Sequence, residues 1–232
     1  MAGLEVLSAG AVKPAMGTIV PAFEAATKAK ILVSFGPAPE LKARTADGTG
    51  AFGVIIGPKS LIAALANEGK VTAASRRALG GVKAAIALHR DAPVPDLSTP
   101  DAVREAVRKA SAIVFNTASS GQYIEEMIKR LGIMDEVGAR IQRFPTAEDA
   151  MRFLDSDAGR SAIGFGQSSA IRGYEKTLGV RQVAALPDAI GNVTSYEAAL
   201  AATAPDAAVA QAFLDYLAGA EGLRQLAATG VE

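Results

Sequence analysis

The sequence predicts an α/β protein of two lobes. Short β-type runs alternate with helical runs almost to the end of the 232 residues. Two breaks interrupt the series, Gly80-Gly81 and LPDAIGNVT (186–194). The strand and helices after the second break look like the closing elements of the first lobe. Strand–helix alternation implies parallel sheets with helices on both faces. The breaks imply two such layers, residues 82–191 being inserted by two crossings into a lobe made of 1–81 and 192–232.

The elements follow in order. LEVLS (4–8) reads as a buried strand, and KPAMGTIVPAFEAATK (13–28) as a helix with Pro14 in its first turn. KILVSF (30–35) is a strand, PELKART (39–45) a short helix and GVIIG (53–57) a strand, followed by a helix at 60–69 closed by Gly69. VKAAIALH (82–89) opens the second series, with a helix at 99–109, a strand at 111–115 and a helix at 120–131. A strand near 140–143, a helix at 147–154 and strands at 161–165 and 180–186 continue it. A returning strand at 194–204 and helices at 206–218 and 220–228 close the chain.

Composition narrows the function. Half of the residues are hydrophobic and 21% are charged, which is a folded globular balance. The 24 basic and 24 acidic residues cancel, so there is no basic field for nucleic acid and no polybasic membrane patch. With no cysteine, disulfides, thiolate catalysis and zinc thiolate sites are excluded, and a single histidine, His89, disfavours a multi-histidine metal site. His89 is expected at the surface or a lobe boundary, and SRR (75–77) in a solvated turn. Asp155 and Asp157 lie in a polar loop without partner ligands, so a calcium site or a glycosidase pair finds no support. No Walker loop occurs, and the glycines at 48–53 do not make a dinucleotide fingerprint. No run reaches the roughly 18–20 apolar residues of a membrane span. The N-terminus shows no basic region followed by an apolar stretch, so the expected location is periplasmic if a leader has been removed and cytoplasmic otherwise.

Ligands of open parallel sheets sit outside the carboxyl ends of the strands, where loops enter helix N-termini. The first such junction, SAGAVKP (8–14), offers small residues and the charge of Lys13. In the second, SFGPAPE (34–40), Gly36 and the prolines shape a loop with Ser34 and Glu40 as its polar side chains. The third, FNTASSGQY (115–123), precedes a helix with an Ile124, Met127, Ile128, Leu131 stripe and a terminating Gly132. Ser119 and Gln122 match a capping box, and Glu125–Lys129 and Glu126–Arg130 are helical ion-pair candidates. Capping leaves Ser120, Gly121 and Tyr123 unexplained, and a helix N-terminus with spare N–H groups and hydroxyls suits an anion. The fourth, GFGQSSA (164–170), places Gln167 and Ser168 at another strand-to-helix handover.

The order of these pieces resembles the periplasmic molybdate-binding protein family, a branch of the type II solute-binding proteins. The resemblance runs through LEVLSAGAVKPAMGTIVPAFEAAT, VSFGPAPELKART, GTGAFGVIIGPKSLIAALANEGKV and the closing segment from Leu186 to Gly230, and so covers nearly the whole chain. It implies a type II periplasmic-binding-protein fold, with two α/β lobes and a ligand cleft between them that closes by hinge motion. It also marks departures. Where molybdate binders of the family carry serines in the first and second loops, this chain has Ala11 and Ala38. Their aspartate before the third strand is Gly53 here, and their tyrosine falls near Gly166 or Gln167. Each lost bond to an oxyanion is worth roughly 1.5–3 kcal/mol, so together the losses weaken oxyanion affinity by several orders of magnitude. SSGQY is instead similar to a divergent branch that includes aconitate-isomerase-like proteins.

The resulting expectation is a protein that binds a small anionic ligand, an oxyanion or organic carboxylate other than molybdate, for an ABC-type transporter. Its contacts are expected from Gly10, Ala11, Lys13, Gly36, Ala38 and Tyr196 of the first lobe and Ser119, Ser120, Gly121, Tyr123, Gln167 and Ser168 of the second. Neither a cofactor nor a metal is called for. An ABC permease is the candidate partner, and a monomer the expected form. The alternative is an isomerase of a small unsaturated carboxylate, with Lys13, Glu40 or Tyr123 moving the proton.

Overall fold

A computed structural model of the chain describes residues 3–46 and 51–232, so residues 48–50 of the segment read as leading to the third strand lie outside the described residues. The chain divides into two compact units, Met1–Val82 with Thr194–Glu232, and Lys83–Val193. It runs through β1 (Leu4–Ala9), a 3-10 turn at Gly10–Val12, α1 (Lys13–Thr27), β2 (Ile31–Gly36), α2 (Ala38–Ala46), β3 (Val54–Pro58), α3 (Lys59–Asn67) and the long β4 (Arg77–His89). Next come α4 (Pro100–Lys109), β5 (Ile113–Asn116), α5 (Ser119–Arg130), α6 (Met134–Val137), β6 (Ile141–Phe144), α7 (Ala147–Asp155), β7 (Ile163–Gln167), α8 (Ser168–Tyr174) and β8 (Val180–Ala185). It returns through β9 (Val193–Leu200) to α9 (Ala207–Ala218) and α10 (Ala220–Ala227).

In the first unit β1 lies between β2 and β3, parallel to both, while β9 runs antiparallel to β3. The sheet is therefore mixed rather than purely parallel, because β9 returns from the far end of the sequence instead of through a crossover helix. Val6, Ile55 and Ile56 pack with Ile19, Phe23 and Phe213 in one core, the two phenylalanine rings meeting edge to face at 5.2 Å. The SRR stretch is not a solvated turn. Ser75 is buried; its Oγ donates to the Thr72 carbonyl at 2.6 Å and accepts the Leu200 N–H at 2.9 Å. Arg76 pairs with the buried Glu197 at 2.7 Å. A carboxylate removed from water needs a counter-charge, and Arg76 is held in place to supply it.

The second unit orders its strands β6-β5-β7-β4-β8. Here β5 is parallel to β6 and β7, but β4 runs antiparallel to both β7 and β8, so this sheet is mixed as well. Alternate residues serve opposite faces. Ile113 and Phe115 join a core with Val103 and Val107 of α4 and Ile124, Met127 and Ile128 of α5. Ala112 and Val114 join another with Met151 and Leu154 of α7. Both faces are covered, which is why SAIVF reads as one apolar run.

Caps fix the helix starts. Thr99 accepts from the Ala102 N–H, Thr146 from Asp149 and Asp206 from Val209. His89 is only 6% exposed and so is not at the surface; its Nδ1 accepts the Asp91 N–H at 3.1 Å. It ends a strand in which Ala84–Leu88 are all buried, and the chain turns immediately after it.

Candidate functional site

The first unit gathers six of the expected contacts at one edge. The register Ala9↔Gly36 sets the Gly10–Lys13 turn beside the start of α2, and Pro58↔Tyr196 brings β9 to the same edge. Gly10 and Lys13 are exposed, Gly36 and Ala38 half-buried, and Ala11 and Tyr196 buried. Lys13 Nζ lies 5.8 Å from the centroid of the Phe35 ring, a position that holds its charge close to this edge. The two helix starts here differ. The first turn of α1 carries no acidic residue, whereas Glu40 sits in the first turn of α2. The Glu40 carboxylate folds back over Gly36, about where a Cβ on Gly36 would come within 3.0 Å of it. Glu40 thus already compensates the dipole of α2, and α1 is left as the start better suited to an anion.

In the second unit β5 and β7 end side by side, so Ser119, Ser120 and Gly121 share an edge with Gln167 and Ser168. The capping box does not form. Ala118 is the N-cap, α5 begins at Ser119, and no side chain caps it. The organiser is Asn116, missed in the sequence: its Oδ1 accepts the Ala118 N–H at 3.0 Å and the Ser120 hydroxyl at 3.3 Å. An asparagine ending a strand ahead of small polar residues is the signal that could have found it, since such a side chain folds back on the backbone two residues on. Ser119 stays exposed, and the first-turn N–H groups of α5 have no partner inside the helix.

The other surplus residues of SSGQY also receive roles. Gly121 lies where α5 meets the end of β5; a Cβ there would stand 1.6 Å from the Asn116 carbonyl oxygen. The Tyr123 hydroxyl meets the carbonyls of Ile190 at 3.0 Å and Gly191 at 2.8 Å, and accepts from Arg130 at 3.0 Å. The Arg130 guanidinium also lies over the Tyr123 ring, 5.3 Å from its centroid. Tyr123 is therefore a strut between α5 and the segment leading to the second crossing. The helical ion pairs rearrange accordingly. Arg130 turns to Tyr123, Glu126 meets Lys129 at 3.6 Å and Glu125 takes Arg143 at 2.9 Å. The bond from Arg143 holds the Glu125 carboxyl below its ordinary range. Ser168 is buried and donates to Gln182 at 2.8 Å, while Gln167 stays half-buried at the edge.

Two further residues stand at this edge and were missed in the sequence. Ala84 pairs with Gln167 across the β4–β7 ladder, so the preceding Lys83 is the exposed cation that begins the second unit's part of β4. Asn192 accepts the Ala84 N–H through its carbonyl at 2.8 Å. A lone lysine opening an otherwise apolar run was the available signal. Among the described residues there is no group of three His, Cys, Asp or Glu placed to hold a metal ion. Among them, too, no helix is long and apolar enough to cross a membrane.

Mixed α/β units whose parallel strands end in small-residue loops and helix starts are the architecture of the periplasmic binding proteins, and known structures bear this out. The periplasmic molybdate-binding protein of Azotobacter vinelandii superposes with a TM-score of 0.80 at 17% identity, covering 99% of this chain and 98% of its own. The sulfate-binding protein SubI of Mycobacterium tuberculosis gives 0.79 at 14% identity, covering 99% and 86%. The chain belongs to the bacterial extracellular solute-binding protein family, whose profile matches residues 4–232. Among characterised proteins it is 26% identical to an aconitate isomerase from a Pseudomonas species, over 99% of this chain and 87% of that one.

Proposed function

We propose that the protein binds a small organic carboxylate rather than molybdate. The observation that carries this reading is the pair Ala11 and Ala38, which stand at the first unit's edge where hydroxyls would be needed to hold a tetrahedral oxyanion. Each unit offers its own groups for a carboxylate: the start of α1 with Lys13 in the first, and the first turn of α5 with Gln167 in the second. Backbone N–H groups at helix starts recognise any compact anion, so the side chains around them set the class. An ABC permease is the partner this reading implies, and a monomer its working form.

Calorimetry against molybdate, tungstate, sulfate, phosphate and a panel of mono-, di- and tricarboxylates tests the proposal. Carboxylates are expected to bind at least a hundredfold more tightly than molybdate, given the lost bonds of roughly 1.5–3 kcal/mol each. Tight molybdate binding would refute it. The likeness to an aconitate isomerase favours a second reading, in which the bound acid is isomerised. One group would take a proton from carbon and a proton would be returned at the far end of the allylic system, shifting the double bond. Proton NMR of cis- and trans-aconitate with stoichiometric protein decides it: no interconversion leaves binding alone.

A further inference from the structure

The second unit holds a small cavity lined by Lys83, Leu186, Asp188, Gly191 and Asn192, among others. Its walls are fixed by backbone bonds. The Ala84 N–H donates to Asn192, the Leu186 N–H donates to Ala84 at 3.0 Å, and the Gly191 carbonyl receives the Tyr123 hydroxyl. The cavity is therefore tied to α5 through Tyr123, one turn in from its start, and to Gln167 through the pairing of Ala84. Lys83 is exposed at its rim, and among the described residues it has no ion-pair partner. Asp188, also exposed, sits on the same wall and keeps the local charge near balance. An acidic group is then drawn by Lys83 at contact range rather than by a broad positive field, an arrangement that selects more than it steers.

We propose that Lys83 is a specificity-determining residue that pairs with a second acidic group of the ligand, so that the ligand is a di- or tricarboxylate and not a monocarboxylate. This rests on the carboxylate reading above and adds the number of acidic groups to it. A compact ammonium on a flexible stem suits this task, since it reaches a carboxylate without demanding one bidentate geometry. Asp188 sets the limit: its carboxylate opposes a ligand acid on the same wall, so neutralising it strengthens polycarboxylate binding.

The test compares tricarballylate, succinate and butyrate by calorimetry on the wild type, Lys83→Gln, Lys83→Arg and Asp188→Asn. Circular dichroism melting confirms that each variant is folded. Lys83→Gln is expected to weaken tricarballylate or succinate by about tenfold to a hundredfold and to leave butyrate unchanged. Lys83→Arg is expected to stay within a few-fold of the wild type, and Asp188→Asn to bind the polycarboxylates more tightly. If the wild type binds polycarboxylates and Lys83→Gln binds them equally well, the Lys83 assignment is wrong while the carboxylate reading stands. Equal losses for butyrate and succinate in Lys83→Gln also overturn the assignment. If the wild type binds none of the three acids, both proposals fall together.

Discussion

Gly121→Ala separates a local view of α5 from the tertiary one, because the two give opposite signs. In a helix interior, alanine is favoured over glycine by about 0.8–1 kcal/mol, so propensity alone predicts a more stable protein. The structure predicts the reverse. The new Cβ would stand 1.6 Å from the Asn116 carbonyl oxygen and 2.7 Å from its carbonyl carbon. Ordinary contact requires about twice the first distance, and both atoms belong to the backbone of β5, which is paired on each side by β6 and β7. The strand cannot yield, so α5 must lift away, loosening Ile124 and Met127 from the core and parting Ser120 from Asn116. Overpacking of this kind costs about 3 kcal/mol or more, leaving a net loss of roughly 2 kcal/mol after the propensity gain. For a chain of 232 residues that is a fall in Tm of about 4–8 °C. Gly17→Ala supplies the internal control. Gly17 is exposed in α1 with nothing within 4 Å of its would-be Cβ, so the same substitution should raise Tm by a few degrees. Thermal unfolding followed at 222 nm reads both. A Gly121→Ala protein as stable as the wild type would refute the argument that close approach, and not ligand contact, requires this glycine.

Two other outcomes follow from the same geometry. Tyr123→Phe keeps the ring in the core but removes a hydroxyl that bridges Arg130 and the carbonyls of Ile190 and Gly191; it should cost about 1–2 kcal/mol in urea unfolding, with m unchanged. An unchanged midpoint would deny the strut. Burial raises the Tyr174 phenol above its ordinary value. The folded state then holds this proton more tightly than the unfolded chain, so its stabilisation is complete below the unfolded value near 10 and is lost as pH rises through the folded one. Tm measured from pH 8 to 11 should therefore decline less steeply for Tyr174→Phe than for the wild type, and parallel curves would count against the assignment.

Much of the architecture was legible in the residues, and the failures have a common physical cause. The α5 stripe could be read because Ile124, Met127 and Ile128 repeat at the helical period and report one buried face without outside information. The cap of the same helix could not. Ser119 and Gln122 have the right spacing, but the helix starts one residue earlier: Ala118 is the N-cap and its carbonyl takes the Gln122 N–H, while Asn116 at the end of β5 holds the Ala118 N–H. Strand direction failed similarly: an apolar run such as AAIALH announces burial on both faces, yet nothing in it tells a parallel neighbour from an antiparallel one. Of the candidate site, the junctions were legible because small residues between a strand and a helix are a local signal. Lys83 and Asn192 were not, because only the pairing of Ala84 with Gln167 and Asn192 brings them to that edge. Gly121 and Tyr123 looked surplus for the complementary reason: their partners are 5 residues back, at Asn116, and 67 and 68 residues on, at Ile190 and Gly191.

The placement of His89 bears on which chemistry the second unit's edge supports. β4 enters that edge at Lys83 and ends at His89, six residues further, or about 20 Å along an extended chain. Because β4 is antiparallel to β7, with Ala84 opposite Gln167 and Ala87 opposite Gly164, His89 emerges at the amino edge of the parallel strands. The chain's single imidazole is thus removed from the loops and helix starts of the carboxyl edge, and its Nδ1 is already engaged by the Asp91 N–H. A proton transfer at the second unit's carboxyl edge would have to use another group. Tyr123 is held by two carbonyls and a guanidinium, so a phenolate there would face both carbonyl dipoles at close range. Lys83 lines the cavity at this edge, and in the proposal above it pairs with an acidic group of the ligand. The isomerase reading therefore makes a sharper demand than the binding reading: it needs a base other than His89 and Tyr123, and Lys13 and Glu40 at the first unit's edge and Lys83 at the second's are the candidates. If aconitate does interconvert, loss of turnover in Glu40→Gln or Lys13→Met with binding retained would locate that base, and full activity in both would return the search to Lys83.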